Sequence, residues 1–152
     1  MPDPSGGLFR RAVLALNGGP SDARIVSLAT DLARSAKTEL VAVHVVEIDW
    51  TLPLDADIAN RSEEVQRILD MAEEVADHAK QRLEPVLLQA RDVGAALVDE
   101  AMERDADLLI VGLPYRKRFG GDFAIGRTIP YVLKNAPCAV WVVREPITEE
   151  LP

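Results

Sequence analysis

The chain has 152 residues, 48% hydrophobic and 28% charged, with a net charge of −8. This length suits one domain with a substantial core, and the composition is that of a folded globular protein rather than a disordered one. The acidic balance argues against nucleic-acid binding, and the single Cys138 excludes an internal disulfide and any cysteine-cluster metal site.

Apolar runs stay well short of the ~20 residues a membrane span needs, and the first residues lack a signal-peptide pattern. The expectation is a cytoplasmic protein without direct membrane insertion. Residues 1–8 read as a flexible tail, 9–146 as the domain and 147–152 as a C-terminal tail.

Residues 11–17 hold a continuous apolar run, which predicts a buried strand. Asn17-Gly-Gly-Pro20 breaks it. Ile25, Leu28, Ala29, Leu32, Ala33 and Ala36 recur at helical spacing, and 40–46 is a second buried strand. A longer loop over 47–60 carries Trp50 and Pro53. Val65, Ile68, Leu69, Ala72, Ala76, Ala79 and Leu83 predict a long amphipathic helix whose acidic residues form a solvated face. Residues 85–90 read as a third strand, and Asp92 caps a helix with Ala96, Leu97, Ala101 and Met102 inside. Residues 108–111 are a fourth strand, a helix runs from about Thr128 to Asn135, and 138–143 are a fifth strand.

Strands that are apolar throughout and separated by helices imply a doubly wound, mostly parallel five-stranded α/β sheet with helices on both faces. With strand order 3-2-1-4-5, the order reverses between the first and fourth strands, where such sheets bind ligands. Asn17-Gly-Gly and Gly112-Leu-Pro-Tyr then meet at one crevice. Downstream, Arg116, Lys117, Arg118 and Arg127 stand against one acid, Asp122, so residues 115–128 carry +3 in a chain of −8. A strand, a glycine-rich cationic loop and a helix start together suit a phosphate, because close backbone N–H groups and the helix dipole both favour an anion. A solvated surface loop is the plainer alternative. Asn17-Gly-Gly is equally explained as a tight turn.

Known nucleotide motifs are missing. There is no Gly-x-x-x-x-Gly-Lys-Ser/Thr loop and no Gly-x-Gly-x-x-Gly turn, and the acidic positions of a receiver domain are Asn17 and Ala90 here. No nucleophile–base pair and no metal-ligand set is apparent. His44 reads as a satisfied core residue, His78 as solvated and Cys138 as packing.

The segments Ala-Val-Leu-Ala-Leu-Asn-Gly-Gly-Pro-Ser-Asp (12–22), Val-Ala-Val-His-Val-Val (41–46), Ala-Asp-Leu-Leu-Ile-Val-Gly (106–112) and Asn-Ala-Pro-Cys-Ala-Val-Trp-Val-Val-Arg (135–144) resemble the universal stress protein family. The resemblance implies the Rossmann-like fold already reached, binding of ATP or AMP (with or without Mg), and a homodimer through the last strand. Nucleotide-binding members carry Gly-x2-Gly-x9-Gly-Ser/Thr. Gly112 fits the first position, but Tyr115 stands at the second glycine, ten residues then precede Gly126, and Arg127 followed by Thr128 replaces the hydroxyl residue. The family's Asp after the first strand is Asn17 here.

Carried over by position, the resemblance implies that Asn17 and Val45 hold the adenosine. Val111, Gly112 and Leu113 line the crevice floor, and Gly126, Arg127 and Thr128 receive phosphates. Arg118 adds charge, and Tyr115 either stacks on the base or plugs the loop. Val140, Trp141 and Val142 become the dimer contact, and Trp50 is either a lid or a partner surface. The reading is an adenine-nucleotide-binding, dimeric stress-response sensor, with at most slow ATP hydrolysis. The alternative is a nucleotide-independent interaction module acting on a protein partner, for example a transporter.

Overall fold

A computed structural model describes residues 9–53, 63–113 and 126–144. Its elements alternate: β1 (Arg11–Leu16), α1 (Asp22–Ala36), β2 (Glu39–Glu47), α2 (Glu63–His78), β3 (Leu83–Ala90), α3 (Val93–Glu103), β4 (Leu108–Leu113), α4 (Thr128–Asn135) and β5 (Ala139–Arg144). The strands form one sheet in the order β3-β2-β1-β4-β5, and every neighbouring pair is parallel. The doubly wound architecture expected from the sequence is the one observed.

Alternation along the strands divides the core into two layers. Ala12, Leu14 and Leu16 of β1 pack with Leu40 and Ala42, Leu108 and Ile110 against Ile25, Val26 and Ala29 of α1 and Ile68 and Ala72 of α2. Val13 packs on the other side with Val41, Val43, Val45, Leu109 and Val111, against Leu97 and Val98 of α3 and Ile129 and Val132 of α4. Both sheet faces are covered, so both sets of positions must be apolar. That is why the central strands read as continuous apolar runs rather than alternating ones.

Local chemistry fixes the boundaries. The Asp92 side chain accepts a hydrogen bond from the Ala95 N–H at 2.9 Å and so caps α3 as expected. Pro130 is the third residue of α4, within the turn whose N–H groups lack intrahelical partners. Pro85 sits in β3, at one edge of the sheet, where a missing donor is tolerated.

Some expected boundaries are corrected. Leu83, assigned from periodicity to the long helix, begins β3 and pairs with Leu40. The helix stops at His78 because the chain turns through Lys80, whose φ is 57°. Strand β2 continues to Glu47 and β4 to Leu113, while β5 starts at Ala139 rather than Cys138.

Candidate functional site

A cavity of about 410 Å³ opens at the carboxyl ends of β1, β2 and β4, beneath the first turns of α3 and α4. It lies where β1 pairs with both β2 and β4 and the chain order reverses. Asn17, Val45, Val111, Gly112, Leu113, Gly126, Arg127 and Thr128 all line it. Tyr115 and Arg118, also assigned to the site from the sequence, lie outside the described residues, as do most of the cationic loop and the proposed tails. The walls are the apolar side chains of Val45, Val93, Leu97, Val111, Leu113 and Ile129, with polar groups concentrated at the rim. A mostly apolar hollow with a few convergent polar groups is the usual form of a small-molecule site.

The β1–α1 turn supplies one side of the rim. Asn17 Oδ1 accepts the Gly19 N–H at 2.7 Å, so this oxygen builds the turn. Gly18 has φ 82°, a left-handed conformation that favours glycine. The N–H groups of Asn17 and Gly18 donate to Asp22 Oδ1 and Oδ2 at 3.0 and 2.8 Å. Asp22 is buried, and burial pushes its carboxyl above the ordinary value, against the pull of those two N–H groups and of His44. Donors at this turn that would otherwise suit an anion are thus held by an internal carboxylate. The tight-turn reading of Asn17-Gly-Gly is observed, and it coexists with Asn17 at the cavity edge.

The opposite side of the rim is the start of α4. Gly126 has φ 74°, and a Cβ built there would meet nothing within 4 Å, so conformation rather than space demands glycine at this point. Arg127 reaches across the mouth, and its Nη2 donates to Glu47 Oε1 at 2.8 Å. The guanidinium therefore has a partner already. Gly112 has a packing role as well. A Cβ there would stand 2.9 Å from Ser21 Cβ and 3.0 Å from Ile25 Cδ1, so its missing side chain lets α1 close on the sheet while its backbone lines the cavity.

The universal stress protein family matches residues 8–144. This chain belongs to that family. Sensor protein KdpD of Mycobacterium tuberculosis (strain CDC 1551 / Oshkosh) is 30% identical over 138 residues, which is 90% of this chain but 14% of that protein. The chain therefore spans only a small part of the length of that curated relative. Among solved structures, a universal stress protein in complex with cAMP aligns over 89% of this chain and 96% of its own, at 21% identity and TM-score 0.66. One from Archaeoglobus fulgidus in complex with dAMP aligns over 90% and 98%, at 20% identity and TM-score 0.68. These two share the fold.

Within this universal stress protein, sequence reasoning missed two groups at or near the site. Glu47 is one; its signal was the alternation Val43, Val45, Glu47, which carries the cavity face of β2 out to the rim. Asp22 is the second, an acid in the first turn of α1. His44 is the satisfied core residue expected: its Nδ1 lies 2.7 Å from the Leu16 carbonyl, which accepts the Nδ1 proton, and the residue also borders the cavity. Cys138 packs against the α3–α4 layer, and burial raises its thiol pKa, as expected of a structural cysteine.

Trp50 is 81% exposed, carries the Arg91 guanidinium 5.0 Å above its ring, and is not part of the cavity lining. On β5, Val140 packs against the core, whereas Trp141 and Val142 are exposed. Trp141 also meets Phe9 edge to face at 5.2 Å, so it makes an intrachain contact in addition to any made with a partner. Among the described residues no helix is long and apolar enough to cross a membrane, and no group of three metal-ligating side chains gathers.

Proposed function

We propose that this chain is an adenine-nucleotide-binding regulatory member of its family, taking ATP, ADP or AMP in the crevice at the ends of β1, β2 and β4. The observation that carries this reading is the convergence of Asn17, Val45, Val111 and 126–128, distant in sequence, around one apolar hollow of about 410 Å³. Val45 and Val111 offer the base an apolar seat, and Asn17 offers it the amide nitrogen not used in the turn. Arg127 and the start of α4 offer the phosphate a guanidinium and a favourable dipole. Relatives of the same fold hold cAMP and dAMP, which supports an adenine ligand. We assign no Mg ligand, since loop N–H groups hold Asp22 and Arg127 holds Glu47.

Dimerisation through β5 belongs to the same proposal. This strand is a sheet edge whose Trp141 and Val142 are exposed, and an apolar edge of this kind is usually covered. Trp141→Glu with Val142→Glu is then expected to shift the protein from dimer to monomer in sedimentation equilibrium, and a wild-type monomer would refute the dimer.

The ligand is tested by thermal denaturation with ATP, ADP, AMP and cAMP. Saturation at about a hundred times Kd stabilises the native state by about 2.7 kcal/mol and raises the melting temperature accordingly. Arg127→Ala is expected to reduce that shift. No shift with any adenine nucleotide would leave the interaction module as the better reading, with the exposed Trp50 as its first candidate surface.

A further inference from the structure

The Arg127–Glu47 ion pair has no evident structural purpose. Its partners are 80 residues apart, 79% and 50% exposed, and an exposed pair adds little to stability. Yet it is specifically placed. Glu47 follows Val45 by two residues along β2, so the two share a face. Its backbone is fixed by pairing with Ala90 and by the Ile48 N–H to Ala90 carbonyl bond at 2.8 Å. Arg127 immediately precedes the first residue of α4. The carboxylate therefore meets the guanidinium, beside a helix start whose dipole favours anions, at the mouth of the cavity.

We infer that Glu47 is an internal competitor for the ligand's phosphate, a carboxylate that holds Arg127 until a nucleotide displaces it. The inference rests on the adenine-nucleotide reading of the same crevice and adds to it a residue that sets its anion affinity. A phosphate brings more charge and more acceptor oxygens than a carboxylate and takes over the guanidinium. Breaking the pair costs what it was worth, so Glu47 lowers the affinity of any anion that takes Arg127. A small inorganic anion meets this penalty with nothing to offset it, whereas a nucleotide also buries its base against Val45 and Val111. Glu47 thus raises the threshold for every anion, and one that also buries an apolar body meets it more readily.

The test is calorimetric titration of wild type, Glu47→Gln, Arg127→Ala and the double variant with AMP, 2′-deoxy-AMP and inorganic pyrophosphate. Glu47→Gln is expected to tighten AMP and pyrophosphate about two- to fivefold, the range an exposed charge pair commands. In the Arg127→Ala background the same change is expected to give less than about a 1.5-fold effect, because the competition acts through that guanidinium. Equal affinity of wild type and Glu47→Gln for pyrophosphate overturns the inference. So does weaker AMP binding by Glu47→Gln that 2′-deoxy-AMP does not show, since Glu47 would then be reading a ribose hydroxyl. If AMP fails with every variant while pyrophosphate still tightens, the adenine reading falls and the competition stands. Failure of both probes with every variant overturns both.

Discussion

The two ends of the sheet carry concavities of opposite character. At the amino ends of the strands lies the larger, about 1080 Å³, bordered by Arg11, Arg34, Lys37, Glu39, Glu84 and Arg104 among others. Much of its charge is satisfied internally: Arg11 pairs with Glu39 at 2.9 Å, and Arg104 pairs with both Glu84 and Glu100. Glu100 and Glu84 together hold the Arg104 guanidinium pKa above its ordinary value. The carboxyl-end crevice is less than half that size, but its walls are apolar and its polar groups stand at the rim. Volume alone would point to the amino end. A ligand needs apolar surface to bury and a few directed polar groups, and parallel topology gathers those at the carboxyl ends.

The contrast can be broken by substitution at each end. The largest effect is expected for Gly112→Val, whose side chain would overlap Ser21 and Ile25 of the α1 layer. Overpacking of this kind costs about 1–3 kcal/mol, read as a lower denaturant midpoint. A midpoint unchanged from wild type would show that α1 can move away freely. Arg104→Ala at the amino end removes two partly exposed ion pairs and is expected to cost about 0.5–1 kcal/mol while leaving AMP affinity unchanged. Loss of AMP binding there would move the site to the other end.

The smallest effect concerns Asp22. Its native carboxyl binds a proton more tightly than in the unfolded chain, so ionising it on folding is unfavourable. Its contribution to stability is therefore most favourable below the unfolded value near 3.8 and is lost as pH rises through the higher native value. Relative to wild type, Asp22→Asn should gain stability as pH rises across that window, measured by urea unfolding at successive pH values. A difference independent of pH would contradict the shift.

The sequence made the sheet order and the meeting of two distant loops legible, because both depend on patterns that run along the chain. Apolar strand runs such as 108–111 mark central parallel strands, and the glycines after β1 and within β4 mark their ends. Boundaries were less legible. Leu83 continues a helical period across a turn that only the left-handed Lys80 reveals. Partnerships across the fold were not legible at all. In sequence Glu47 opens a loop and Arg127 is one cation of a phosphate-binding segment, and nothing in either local pattern shows that they meet. Asp22 was read only as the last residue of a family motif, though it ties down the Asn17–Gly18 turn through two backbone N–H groups. Trp50 fits either a lid or a partner surface in sequence; in the structure it lies outside the cavity lining with the Arg91 cation above its ring.

The central claim is that the small crevice, and not the large concavity, receives an adenine nucleotide. Amide chemical shifts followed while AMP is titrated into the labelled protein test it most directly. The account predicts perturbations at Asn17, Val45, Val111 and 126–129, with Lys37, Glu84 and Arg104 undisturbed. Perturbations gathered at those amino-end residues, or none at saturating AMP, would contradict it.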